Sequence, residues 1–255
     1  MKRILSAAAV LALSASLLVG CSSGTASSVP VSASSAAEST VSSVEETASS
    51  AVDENEAAAA QLLNDLTGSY QELWPVILAD EYKQTWLDDC TALVGEDNAE
   101  AAFEKLSSMV TGDVYGEDAV KAYANGGGAY FCGFTNSLAI LTFDGETSTI
   151  SGTDKDGNVL FSHAYHYIGM EPVRGLYEFE SDDADSGEFT YFFLAPDTSA
   201  ETYHIEFRYG SDAEALSQYD TGEYAYWLAS GISTDCDQTM IDNCIELFCT
   251  ENLAG

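Results

Sequence analysis

A histidine and a glutamate stand two residues apart in the segment His-Ile-Glu-Phe-Arg-Tyr-Gly, which runs from His204 to Gly210. Aromatic and β-branched residues alternate there with polar ones, which predicts a β-strand that ends in a turn. Side chains two apart on a strand point to the same face, so His204 and Glu206 project side by side. An imidazole and a carboxylate on one face suit a divalent transition metal, zinc above all. The pair is therefore a candidate zinc site.

The same alternation also fits a strand that binds nothing. His204 and Glu206 could form the solvated face of a half-buried strand whose Ile205 and Phe207 face the core. Periodicity alone favours this second interpretation, so the rest of the chain has to decide between them.

The elements that would position this pair are mostly short strands. Turn signals such as Asp144-Gly145 separate a series of strand-like runs, over residues 129–134, 138–143, 147–151, 159–168, 175–180, 189–194 and 203–209. Short strands with tight turns and no intervening helix indicate an antiparallel barrel or sandwich. Helical patterns flank them, over residues 53–66, 81–93, 98–109 and 237–250. Residues 68–77 have aromatic residues at helical spacing interrupted by Pro75, which predicts a broken helix.

The first 20 residues have the form of a bacterial secretory signal, with Lys2 and Arg3 before an apolar run. The run ends in Leu-Val-Gly-Cys21, which resembles the lipobox and implies cleavage before Cys21 with lipid attachment to its thiol and amine. Residues 21–52 are rich in Ser and Ala and lack aromatic residues, so we expect a flexible tether there. We expect one folded domain over residues 53–255, held by its lipid on the extracytoplasmic face of the cell membrane.

The charge of the chain limits its partners. Asp and Glu number 42 against 8 Lys and Arg, which gives a formal net charge of −34. Such a surface repels phosphate backbones, so nucleic acid is not an expected partner. It attracts cations, although diffuse acidity is mainly a solubility feature.

The order of these elements and two motifs resemble the ZinT (YodA-like) family of lipocalin-related zinc-binding domains. One motif, Gly-x-Tyr-Gln-x-x-Trp-Pro from Gly68 to Pro75, is similar to the family's Gly-x-Trp-Gln-x-x-Tyr-Pro. The other is an Ala-Pro pair at Ala195 followed by the segment from His204 to Gly210, where the family has His-Phe-His-Phe-Arg-Tyr-Gly. The resemblance spans about residues 56–253. It implies a lipocalin-like antiparallel barrel, bound Zn²⁺, and the solute-binding component of a zinc ABC transporter as the partner.

The chain departs from the family at the implied metal site. The family's ligands are usually three histidines, of which only His204 is unchanged here. Glu206 replaces the second histidine of the family's His-x-His pair and is a carboxylate that could serve as a ligand. Phe192 occupies the place of the family's remaining histidine, which comes just before the Ala-Pro pair. The resemblance thus supports His204 and Glu206 as ligands and supplies no further one.

Two other histidines and an acidic segment are weaker candidates. His163 and His166 lie three apart on a strand and hence on opposite faces, so at most one of them can join His204. An ordinary strand histidine is the better interpretation of either. The acidic run over residues 182–188 lacks the spacing of a calcium loop, and a solvated hairpin turn fits it better.

Five cysteines follow Cys21: Cys90, Cys132, Cys236, Cys244 and Cys249. In an oxidising compartment they allow up to two disulfides with one thiol left over, although Cys244 and Cys249 are too far apart on one predicted helix to pair easily. The sequence contains no Cys-x-x-Cys pair, so it does not indicate a zinc site built from cysteines. No nucleophile, nucleotide or dinucleotide motif is present, so we expect no enzyme.

Two functions are compatible with these observations. The first is a lipid-anchored extracytoplasmic protein that captures zinc and delivers it to an uptake transporter. The second keeps the barrel without the zinc, as a lipocalin-like module for a small ligand or a partner protein. The incomplete histidine set and the 14 Tyr and 11 Phe residues favour the second, whereas the preserved motifs favour the first.

Overall fold

The computed structural model describes residues 54–123 and 129–254. The eight strands are β1 (Gly68–Glu72), β2 (Ile140–Asp144), β3 (Thr149–Thr153), β4 (Val159–Met170), β5 (Tyr177–Ser181), β6 (Tyr191–Leu194), β7 (Ile205–Gly210) and β8 (Ala229–Ser233). The helices are α1 (residues 54–65), α2 (Leu73–Ile77), α3 (Lys83–Val94), α4 (Glu96–Val110), α5 (Glu117–Tyr123), α6 (Ser199–Thr202), α7 (Ala213–Leu216) and α8 (Gln238–Leu253).

The strands form one closed antiparallel barrel in which each strand pairs with the next along the chain. The barrel closes where β1 pairs with β8, with Gln71 opposite Ile232. Closure leaves no unpaired strand edge, which is how all-antiparallel sheets avoid edge-to-edge aggregation. The predicted class, a lipocalin-like barrel with flanking helices, is confirmed.

Aromatic side chains fill the interior of the barrel. Phe192, Phe207 and Tyr209 are completely buried, and the Phe192 and Tyr209 rings stack with their centroids 5.3 Å apart. Phe161 stacks on Phe189 with a centroid distance of 4.0 Å. Offset stacking and edge-to-face contacts of this kind add to the free energy gained by burying the rings. The interior is therefore a packed core of contacting rings.

A second apolar cluster lies outside the barrel, where α2, α3, α4 and α8 pack together. Trp86 of α3 is completely buried, and its indole N–H donates to the Ile77 carbonyl (2.7 Å). Ile232 of β8 and Ile245 of α8 belong to the same cluster. This cluster fixes α8 against the outer wall of the barrel. No helix in residues 54–123 or 129–254 is both long and apolar enough to cross a bilayer.

Six of the seven predicted strands match observed strands, and two segments differ from the prediction. Residues 129–134 form only isolated bridges at Phe131. Residues 68–77 begin as β1 and turn helical only at Leu73, so the prediction of a helix over 68–72 was wrong. The reason is tertiary, because Tyr70 pairs with Leu141 on one side and Ser233 on the other. The predicted signal, lipobox and tether lie outside the described residues.

Candidate metal centre

Strand β7 separates the barrel core from the candidate site. Ile205, Phe207 and Tyr209 point into the aromatic core. By the two-residue period, His204, Glu206 and Arg208 share the opposite, outward face. Other parts of the protein cover this face, since His204 and Glu206 are half-buried and Arg208 is completely buried. The interpretation of a plainly solvated strand face is therefore wrong for this position.

Arg208 ties β7 to the segment that follows it. Its guanidinium donates to the backbone carbonyls of Leu216, Gln218 and Tyr224, and it stacks on the Tyr219 ring at 4.3 Å from the centroid. Burial lowers the pKa of Arg208 to about 10. Since carbonyl dipoles and a π-face solvate the charge, this residue has a structural role and is not available as a ligand-binding cation.

The short helix α6 positions His204 just before the first residue of β7. Thr198 and Glu201 form a capping box that begins α6, and α6 ends at Tyr203 in the left-handed conformation with φ 66°. The Nδ1–H of His204 then donates to the Thr202 carbonyl (2.7 Å). This bond orients the ring and leaves Nε2 as the nitrogen that could take a metal ion.

A thiol from the C-terminal helix borders the same ring. The sulfur of Cys244, which is almost completely buried on α8, lies 3.8 Å from Nδ1 of His204. Burial of the ring disfavours its charged form, but Cys244, the charge of Glu206 and the Thr202 carbonyl outweigh burial and raise the pKa of His204 to about 9. The site therefore favours a positive charge at the position of the imidazole.

The charges of three carboxylates, those of Glu206, Asp197 and Glu251, interact with His204 and with one another. Burial first, and then the charges of Glu206 and Glu201, raise the pKa of Asp197 above its ordinary value, while His204 opposes that shift. Burial likewise raises the pKa of Glu251 on α8, with repulsion from Glu206 and Asp197 and attraction to His204. Like charges held together in a partly desolvated site are destabilising unless a cation joins them.

The donor atoms fit zinc by their chemistry, because imidazole nitrogen, thiolate sulfur and carboxylate oxygen are the ligands zinc takes in proteins. Within residues 54–123 and 129–254, however, no three His, Cys, Asp or Glu side chains are already close enough to hold a metal ion. The structure thus brings the donors to one place without bringing them to coordination distance.

The other candidates from the sequence lie elsewhere. His163 and His166 point to opposite faces of β4, and their Nδ1 atoms lie 2.6 Å from Asp183 and 2.7 Å from Asp182, respectively. Residues 182–185 are exposed at the connection between β5 and β6. Phe192, at the place of the family's third histidine, is buried in the barrel core. None of these residues contributes to the surroundings of His204.

Sequence reasoning missed Cys244, Asp197 and Glu251. Little in the sequence indicated a role for Cys244, because a single cysteine on a helix usually packs as a small buried apolar residue. Asp197 and Glu251 were two acidic residues among 42. Asp197 directly follows the Ala195-Pro196 pair, and this position was the one available sign of a role near β7.

No family model matches the chain, and no curated protein matches it. Two solved structures resemble it in backbone course. The Zn(II)-bound ZinT-like domain of Streptococcus pneumoniae AdcA is 15% identical with a TM-score of 0.46, covering 72% of this chain and 89% of that chain. Zn(II)-bound AdcA from the same organism is 14% identical with a TM-score of 0.43, covering 71% of this chain but only 34% of that chain. With such low identities and TM-scores, neither structure assigns a family, a site or an activity to this chain.

Proposed function

We propose that this protein is a lipid-anchored, extracytoplasmic metal-binding protein that captures zinc through His204 and Glu206. The remaining ligands come from the donors that border this pair, which are the Asp197 and Glu251 carboxylates and the Cys244 thiol. A bound zinc ion supplies a positive charge shared by these donors and no redox chemistry. The protein is a binding protein and not an enzyme.

The observation that carries the proposal is that His204 and Glu206 share the half-buried outward face of β7, with the Cys244 sulfur 3.8 Å from Nδ1 of His204. The charge of Glu206 raises the pKa of both Asp197 and Glu251, and the charge of His204 lowers both. A surface that served only solubility would spread its carboxylates in water, where they repel one another weakly. A zinc ion at Nε2 would take the place of the proton that makes His204 cationic and would be the cation for these three carboxylates.

Delivery to a zinc uptake transporter is the second part of the proposal. It rests on the expected lipid anchor at Cys21, which would hold the domain beside membrane transporters, and on the motif resemblance to the ZinT family. The transporter's solute-binding component is the partner that this role requires. The acidic surface would raise the local concentration of cations around the anchored domain.

The alternative, a lipocalin-like carrier of an apolar ligand inside the barrel, has no specific observation in its favour. Its support in the sequence was the incomplete histidine set together with the abundance of aromatic residues. In the structure those rings pack on one another, as Phe134 does on Phe207 with centroids 5.3 Å apart. A ligand inside the barrel would have to displace this packed core, which carries much of the free energy of folding.

Thermal unfolding with and without zinc tests the proposal. Zinc at a hundredfold excess over its dissociation constant should add about 2.7 kcal/mol to the free energy of unfolding, because it binds only the folded state. The variant His204→Ala should lose this gain, and Glu206→Gln should show a smaller gain because a neutral amide is a poor zinc ligand. Asp197→Asn and Glu251→Gln identify the further ligands.

Glu246→Gln is the matched control. Glu246 is also on α8, but its charge raises the pKa of Asp89 and is not among the charges that shift His204. It should keep the full response to zinc. An equal response in the double variant His204→Ala/Glu206→Gln would mean that the diffuse acidic surface binds the metal, and the proposal would be withdrawn.

A further inference from the structure

Two thiols that play no part in the candidate metal centre meet between two helices. The sulfur atoms of Cys90 on α3 and Cys249 on α8 lie 3.9 Å apart, although 159 positions separate them in the sequence. Both side chains are completely buried in the helical cluster outside the barrel. We infer that Cys90 and Cys249 form a disulfide that covalently joins α3 to α8.

The pairing is selective among the cysteines of residues 54–123 and 129–254. Cys132 lies in contact with the Tyr130 carbonyl, and Cys244 lies against His204. Within this part of the chain, Cys90 and Cys249 are the one pair of thiols in contact with each other. Cys244 and Cys249 lie roughly 140° apart around α8, which is why one borders the metal centre and the other faces α3.

The bond forms by thiol–disulfide exchange with a disulfide oxidant such as oxidised glutathione or an exported dithiol oxidase. One thiolate attacks the oxidant's disulfide, forms a mixed disulfide and releases one thiol; the second thiolate then displaces the other thiol. Two protons and two electrons leave the cysteine pair, and the oxidant becomes two thiols. Secreted proteins meet oxidants of this class, whereas cytosolic proteins rarely do.

Burial determines when this exchange can occur. Exchange requires a thiolate that the oxidant can reach. Both cysteines are completely buried, so neither sulfur is accessible to solvent in the folded protein. The bond therefore forms while the chain folds and is protected from reductants afterwards. Once formed, it closes a long loop and fixes the helix that carries Cys244 and Glu251.

Refolding the full chain under controlled redox conditions tests this inference. The reduced, denatured protein is refolded once in a glutathione redox buffer and once in reductant, and free thiols are then alkylated. Peptide mapping by mass spectrometry should find Cys90 joined to Cys249 only in the first sample, with two fewer alkylated thiols. The oxidised protein should melt roughly 5 to 10 °C higher than the reduced protein.

Three variants sharpen the test. Cys90→Ser and Cys249→Ser should each lose the linked peptide and the dependence of the melting temperature on oxidation. Cys236→Ser, which alters a partly exposed thiol, should keep both. A full count of alkylated thiols in the wild-type protein after oxidative refolding would overturn the inference, and so would a linked peptide with another partner. The mapping of the wild-type protein decides this even where a variant fails to fold.

Discussion

The electrostatics around His204 depend on residues from several elements. Cys244 and Glu251 come from α8, Glu206 from β7 itself, and Asp197 from the loop after β6. Because the side chains belong to separate elements, removing one should change the charge balance without unfolding the barrel.

We predict that His204 makes the metal-free protein more stable at neutral than at alkaline pH. The pKa of His204 rises from 6.5 to about 9 on folding. A raised pKa contributes stability that is fully present below pH 6.5 and is lost as the pH rises through 9. The loss should be at most about 3.5 kcal/mol, since one pKa unit corresponds to about 1.4 kcal/mol.

Urea unfolding in a chelator between pH 6 and 9.5 measures this effect, with His204→Gln as the comparison. The difference between the two proteins removes the contributions of the other titrating groups. A difference that stays constant across this range would show that His204 is not held in its charged form.

At the scale of elements, α1 (residues 54–65) packs tightly on the hairpin that joins β2 to β3. A Cβ atom on Gly145 would lie 2.4 Å from the Cα of Asn64 and 2.6 Å from the Leu63 carbonyl oxygen. Both contacts are with backbone, which cannot move aside as a flexible side chain can. Gly145 is therefore required because the backbone of α1 passes too close to leave room for a side chain. The helix is thus part of the folded domain.

We predict that Gly145→Ala lowers the free energy of unfolding by about 2 to 3 kcal/mol, as overpacking against a rigid neighbour does. Gly169→Ala is the matched control in β4, because its Cβ would meet nothing nearer than the Glu178 carboxylate at 3.9 Å. The control should change stability by no more than about 0.5 kcal/mol. Denaturant unfolding of both variants measures the contrast, and equal stabilities would contradict the packing of α1 on this hairpin.

The net charge of the whole molecule limits how it could be held at a membrane. A surface with net charge −34 is repelled by anionic membranes. In the role proposed above, attachment to a membrane would therefore come from a covalent lipid and not from the surface of the domain. The expected anchor at Cys21 supplies it, and this expectation concerns residues outside the described part of the chain.

We predict that Cys21→Ser releases the protein from the membrane fraction of the cell that produces it, because the lipid has lost its attachment site. Fractionation with immunodetection, together with labelling by a fatty acid, measures the outcome. Cys236→Ser should stay in the membrane fraction as the control. Undiminished membrane association and lipid labelling of the Cys21 variant would refute the lipoprotein assignment.

Local patterns in the sequence were sufficient for the class of fold. Period-two alternation and Gly-rich turns identified β2 to β7 within a few residues, because a half-buried strand must place apolar side chains on one face. The same pattern placed His204 and Glu206 on one face. Composition alone predicts the boundary between the N-terminal 52 residues and the domain, and this prediction lies outside the described residues.

Only the tertiary structure decided how the barrel closes. Strand β8, Ala-Ser-Gly-Ile-Ser, is buried along most of its length, so it shows no clear alternation. Strand β1 has the aromatic spacing of a helix and is extended because β2 and β8 pair with it from both sides. These strands depend on partners many residues away, and no local propensity encodes such pairing.

The surroundings of His204 were likewise set by long-range packing. Its neighbour Cys244 is 40 positions further along the chain and reaches it because α8 docks on the outer wall of the barrel. The meeting of Cys90 with Cys249 has the same origin in the packing of α3 on α8. The sequence by itself determined which face of β7 carries donor atoms, and the docking of α8 decided which groups meet them, because helix docking depends on the whole apolar cluster.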